Sequence, residues 1–102
     1  MYKIYIDTTE RYKRKVALFK DEQEIDFTEG EIDVVQSIKD ILVKNDLALA
    51  DIALVDANPG PGSFTGIKMG VMIANVLNWI ARKKDLDNLI KPNYGKSPNI
   101  QK

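Results

Sequence analysis

Between the apolar tetrapeptide Ile52-Ala53-Leu54-Val55 and an apolar stretch from Ile67 to Ala81 stands Asn58-Pro59-Gly60-Pro61-Gly62-Ser63-Phe64-Thr65-Gly66. It holds three of the chain's six glycines and two of its four prolines. Glycine and proline at this density interrupt regular structure, so the chain must turn here, with a short buried strand before and a helix after. A glycine-rich turn at that junction brings backbone N–H groups to a helix N-terminus, where a phosphate or carboxylate can sit. Glycine also permits positive φ and close approach to a neighbour. The loop is therefore either an anion cradle or a tight structural turn.

Much chemistry is excluded by what the chain lacks. It has no histidine and no cysteine, which removes a Ser-His-Asp triad, an imidazole-ligated metal and any disulfide. The loop fails the Walker A pattern, because its spacing differs and no Ser or Thr follows Lys68. Pro61 stands where a Gly-x-Ser-x-Gly elbow needs its first glycine. Ser63 thus has no base to activate it, and no motif places two carboxylates for acid–base work. Asp7-Thr8-Thr9, ending the first strand, is either a phosphate or metal site or simple turn chemistry.

The 102 residues suit one domain with a modest core. Fifteen basic and fifteen acidic residues cancel, so no global field draws nucleic acid, and no direct stable nucleic-acid binding is expected. The charge is uneven: residues 21–56 carry eleven acids against Lys39 and Lys44, and both chain ends are basic. Met1 to Asp7 places charge inside what would be a signal's apolar segment. No apolar run approaches the roughly 20 residues of a bilayer span. The expectation is a cytoplasmic protein without membrane contact.

Along the chain, Tyr2 to Ile6, Val16 to Phe19 and Glu24 to Phe27 read as three strands with short links, an antiparallel meander. Thr28 and Glu31 match a capping box. Ile32, Val35, Ile38, Ile41 and Leu42 then mark a helical stripe, with Val34 beside it, fading near Asn45. Ile52 to Ala57 is a fourth strand, and the helical crossover before it implies parallel pairing with the first. Leu89-Ile90 reads as a short edge strand and Pro92-Asn93-Tyr94-Gly95 as a turn.

The second helix is unusually apolar around its circumference. At 100° per residue, Lys68, Asn75, Asn78 and Arg82 share one sector of roughly 80° with Val71. The rest of the surface is apolar or small, more than packing on one sheet requires. The first helix, the tail or another chain must cover the excess. Met69 and Met72 add adaptable surface of the kind common at partner contacts.

The order strand-Asp7-Thr8-Thr9, hairpin with Val16-Ala17-Leu18, helix, strand, Gly60-Pro61-Gly62-Ser63-Phe64-Thr65-Gly66-Ile67-Lys68-Met69-Gly70 resembles the N-terminal lobe of the bacterial TsaB (YeaZ) family of tRNA threonylcarbamoyladenosine biosynthesis. The resemblance covers about residues 2–83. Pro92 to Ile100 is also similar to the extreme C-terminus of some members, which implies a naturally short protein. The resemblance implies an α/β fold: a single ribonuclease-H-like lobe of the actin-like ATPase superfamily, a mixed sheet with two main helices. Residues 1–84 would form that lobe and 85–102 a tail. No room remains for the family's usual second lobe.

It also implies a role. Family members are non-catalytic scaffolds for the TsaD catalytic subunit in modifying the adenosine next to the tRNA anticodon, with the ATPase TsaE engaged indirectly. The paralogues associate through their first two helices, here about 31–45 and 66–83. The expected interface residues are Val35, Ile38, Leu42, Met69, Met72, Ile73 and Val76; without a partner this surface should form a homodimer. No catalytic residue, metal or resident cofactor is expected, and ATP with magnesium only when a partner chain completes the cleft. The signature loop, Asp7 and Thr8 with Gly60, Gly62, Ser63, Thr65 and Gly66, is the candidate anion site. A phosphate- or nucleotide-binding half-site enzyme is the alternative reading.

Overall fold

The computed structural model describes residues 1–82. Strands β1 (Tyr2–Asp7), β2 (Arg14–Lys20) and β3 (Gln23–Gly30) lead into helix α1 (Val34–Lys44). A short 3₁₀ turn (Leu49–Asp51), strand β4 (Ile52–Ala57) and helix α2 (Phe64–Arg82) follow. The sheet order is β3-β2-β1-β4. The first three strands form the antiparallel meander, and β4 lies parallel to β1. The expected edge strand and turn after residue 85 lie outside the described residues.

Alternation along the strands builds the core. Ile4 and Ile6 of β1, Val16 and Leu18 of β2, and Val55 and Ala57 of β4 share one buried face. Both helices pack there, α1 mainly over β2 and α2 mainly over β4. The opposite face carries cross-strand layers in which Lys3 lies 5.1 Å from the Phe19 ring and Lys15 5.1 Å from the Phe27 ring. Lys15 also pairs with Glu24 at 3.0 Å.

Two elements depart from expectation. The helix does not start from the Thr28 capping box. β3 continues to Gly30, opposite Arg14, so Thr28 belongs to the ladder opposite Val16. Paired strand backbone outweighs a local cap, and α1 starts at Val34 instead. Asp33 is its N-cap, its carboxylate accepting from the Gln36 N–H at 3.0 Å. The buried stripe of α1 is Val34, Ser37, Ile38, Ile41 and Leu42. Val35 lies about 100° from Val34 and is exposed.

The faces of α2 follow the polarity pattern only in part. Ile67, Gly70, Val71, Ala74 and Asn78 face the sheet and are buried, so Val71 and Asn78 from the polar sector point inward. The surplus apolar surface points out. By length and mean hydropathy, 1.3 over Phe64–Ala81, this helix meets the criterion for a bilayer span, contrary to the sequence expectation. Here its inner side completes the core of an α/β domain.

Candidate functional site

The glycine-rich loop closes against the exit of β1. The Asn58 N–H donates to the Ile6 carbonyl at 2.9 Å, ending the β1–β4 pairing. Asn58 Oδ1 accepts from the Gly60 N–H at 3.1 Å, and Gly60 takes a φ of +114°, open to glycine at little cost. The Ser63 N–H donates to the Thr9 carbonyl at 3.1 Å. Ser63 Oγ in turn accepts from the Gly66 N–H at 3.3 Å, as an N-cap does. A methyl group at Gly62 would stand 2.6 Å from Thr9 Cβ, and one at Gly66 or Gly70 would overlap Thr8. The Thr8 hydroxyl donates to the Gly66 carbonyl. The N–H groups of Gly60, Ser63 and Gly66 are thus engaged within the chain.

Asp7, Thr8, Gly60, Gly62, Ser63, Thr65 and Gly66 are gathered at one end of the sheet. Burial works to raise the Asp7 pKa, but the Thr9 hydroxyl and N–H, Asn58 and nearby Lys15 hold it below the usual carboxylate range. Two further residues join them. Arg11, from the β1–β2 connection, and Arg14, the first residue of β2, line a cleft of about 400 Å³ with Thr8, Ser63, Thr65, Gly66 and Met69. Arg14 Nη1 donates to the Ile32 carbonyl at 3.3 Å, and its buried Nε has no partner. The sequence signal was the basic run from Arg11 to Lys15; only the folded connection reveals that two of its members turn toward the start of α2.

The expected interface residues divide in two. Ile38 and Leu42 are buried in this chain's own core, because they lie on the α1 stripe that rests on the sheet; they are not surface residues. Val35, Met72 and Val76 are exposed, and Met69 and Ile73 are partly buried beside the groove between α1 and α2. Trp79 and Ile80 belong to the same outer face. Met72, Val76, Trp79 and Ile80 are 54%, 47%, 59% and 60% exposed. The apolar girth of the helix contained this signal, but the rotational setting did not follow from it.

A four-stranded mixed sheet with a βββαβα order and both helices on one face is a lobe of the actin-like fold. No family model matches the sequence, and no curated protein is significantly similar to it. Among solved structures, the chain is similar to YeaZ from Pseudomonas aeruginosa, with a TM-score of 0.71 and 20% identity. That match covers 79% of this chain and 40% of YeaZ. A second structure, of an uncharacterized Pseudomonas aeruginosa protein with similarity to peptidase YeaZ, matches with a TM-score of 0.68, 19% identity and coverage of 79% and 39%. At this identity the likeness establishes the fold: the described chain is a single YeaZ-like lobe spanning about 40% of the length of YeaZ.

Proposed function

We propose that this protein is a non-catalytic partner that docks on a larger enzyme through the outer face of α2. The observation that carries the reading is the row Met72, Val76, Trp79 and Ile80, on a helix whose other side is already core. Four large side chains at about half exposure present on the order of 400 Å² of apolar surface, the range in which patches on monomers mark interaction sites. Covering it is worth about 10 kcal/mol before the costs of association.

The YeaZ-like lobe and the resemblance of Gly60 to Gly70 to the TsaB signature suggest the partner. It is a TsaD-like catalytic subunit that threonylcarbamoylates the adenosine beside the tRNA anticodon, with a TsaE-like ATPase joining indirectly. The loop's role is then to launch and aim α2. Without the enzyme, the same face pairs two copies of this chain as an isologous dimer. Copurification from a co-expressing strain tests the reading: a complex at micromolar concentration, lost in M72E/V76E, is expected. No complex, or one indifferent to both charges, would overturn it.

One observation favours the second reading, a phosphate- or nucleotide-binding half-site. Arg11 and Arg14 flank three hydroxyls in one cleft and have no carboxylate partner among the described residues. Calorimetry with ATP and magnesium separates the two. The scaffold reading expects no appreciable heat of binding, whereas the half-site reading expects heat that falls in R11A/R14A.

A further inference from the structure

The connection between β1 and β2, residues 8–13, turns where the Lys13 N–H donates to the Glu10 carbonyl at 3.3 Å. Arg11, Tyr12 and Lys13 at its tip are exposed, and Arg14 follows, partly buried, as the first residue of β2. Arg11, Lys13 and Arg14 form no ion pair among the described residues. Lys15, the next base, is committed to Glu24 and the Phe27 ring on the other face of the sheet. Glu10 is the single acid between Thr8 and Arg14. The chain's charges cancel in sum, but interactions beyond about 10 Å are screened at ordinary salt. The tip therefore acts as a local cluster of cations.

Glu31 and Asp33 border this cluster on the α1 side, and Asp33 is occupied in capping that helix. On the α2 side, the cleft between Arg11, Arg14 and the hydroxyls of Thr8, Ser63 and Thr65 has no carboxylate among the described residues. The Thr8 proton is engaged by the Gly66 carbonyl, which leaves Ser63 and Thr65 to donate. Arg14 Nε is a buried donor without an acceptor, and native folds rarely leave one so. An anion beside the guanidinium supplies what is missing.

Two features extend the site beyond a single anion. Lys13 stands outside the cleft on the same turn. Tyr12 is 60% exposed, with the Arg11 guanidinium 5.3 Å from its ring centre. Cations that alternate with an open aromatic ring match a chain whose phosphates alternate with bases, because the ring accepts any base by stacking.

We propose that this turn and the cleft behind it bind the phosphodiester backbone of single-stranded nucleic acid. Arg11 and Arg14 hold one phosphate beside Ser63 and Thr65, Lys13 meets a neighbouring phosphate, and Tyr12 stacks on a base. The proposal rests on the half-site reading of the same cleft and names a polymer as its ligand; docking through α2 is independent of it.

The test uses the full chain and fluorescein-labelled strands of about twelve uridines or twelve thymidines. At about 50 mM salt, anisotropy should rise saturably at micromolar protein, and two phosphate contacts at about 0.7 each should give log K against log salt a slope of about −1.5. Tighter binding of uridine assigns a contact to the 2′-hydroxyl, and equal binding assigns the backbone alone; both agree with the proposal. R11E/K13E, at two exposed positions, should weaken binding at least about 10-fold and flatten the slope, whereas K39E on α1 should change neither. A strand carrying 5-iodouracil should crosslink to Tyr12 under ultraviolet light. M72E/V76E should bind as the wild type does, so a failure of the interface reading shows separately. No binding of either strand, or binding indifferent to R11E/K13E, would overturn the proposal. So would a polyglutamate of the same length that competes as well as the RNA. Heat from ATP and magnesium that depends on Arg11 and Arg14, with no strand bound, would overturn it too and leave the half-site reading standing.

Discussion

Thr8 is almost wholly buried, and its hydroxyl donates to the carbonyl of Gly66, 58 positions along the chain. The glycines of the loop read as turn residues from the sequence; the neighbour that demands them does not, because it arrives from another strand. G66A separates two effects of opposite sign. Alanine in place of glycine favours a helix by about 1 kcal/mol, whereas overlap with the Thr8 backbone oxygen costs about 3 kcal/mol. The clash wins, and urea denaturation should show a destabilisation of about 2 kcal/mol; a stabilised variant would refute this packing. Asp26 offers a test by pH. A hydrogen bond from Asn45 outweighs the opposing effect of burial and, with Lys44 and the Phe27 N–H, holds its carboxyl below the usual range. A carboxyl lowered in the folded state stabilises above its unfolded value and loses that contribution as pH falls through the folded one. The loss belongs below about pH 4. D26N should flatten the decline of melting temperature in that window and be less stable than the parent at pH 7.

Among the elements, the strands were the most legible. Ile4 and Ile6 alternate in β1, and the helix between β3 and β4 dictated the parallel pairing that is found. The start of α1 was not legible, since Thr28 satisfies a local capping rule while its backbone is held by Val16 across the ladder. Asp33 caps the helix instead, and D33A should lower stability by about 1 kcal/mol in chemical denaturation. An unchanged midpoint would return the cap to another residue. The setting of α2 failed for a related reason. Asn78 groups with Lys68 and Asn75 by angle, and sequence offers no sign that its polarity answers Val55 rather than water. Of the sector that Lys68, Asn75, Asn78 and Arg82 share with Val71, Val71 and Asn78 face the sheet.

For the whole molecule, the single YeaZ-like lobe follows from the order of strands and helices together with the loop signature, and the structural likeness bears it out. The candidate site was legible only in part. Loop residues far apart in sequence do converge, but Arg11 and Arg14 joined them unannounced, and Ile38 and Leu42 turned out to serve the core. Val35 of α1 and the apolar outer face of α2 remain outward, and the chain's single tryptophan stands on that α2 face. Trp79 is thus a built-in reporter of the central claim, that this face is covered by a partner. Titrating the chain with a tryptophan-free TsaD-like enzyme should shift Trp79 emission to the blue and reduce its quenching by acrylamide, saturably and not in M72E/V76E. A complex that leaves Trp79 emission and quenching unchanged would contradict the account.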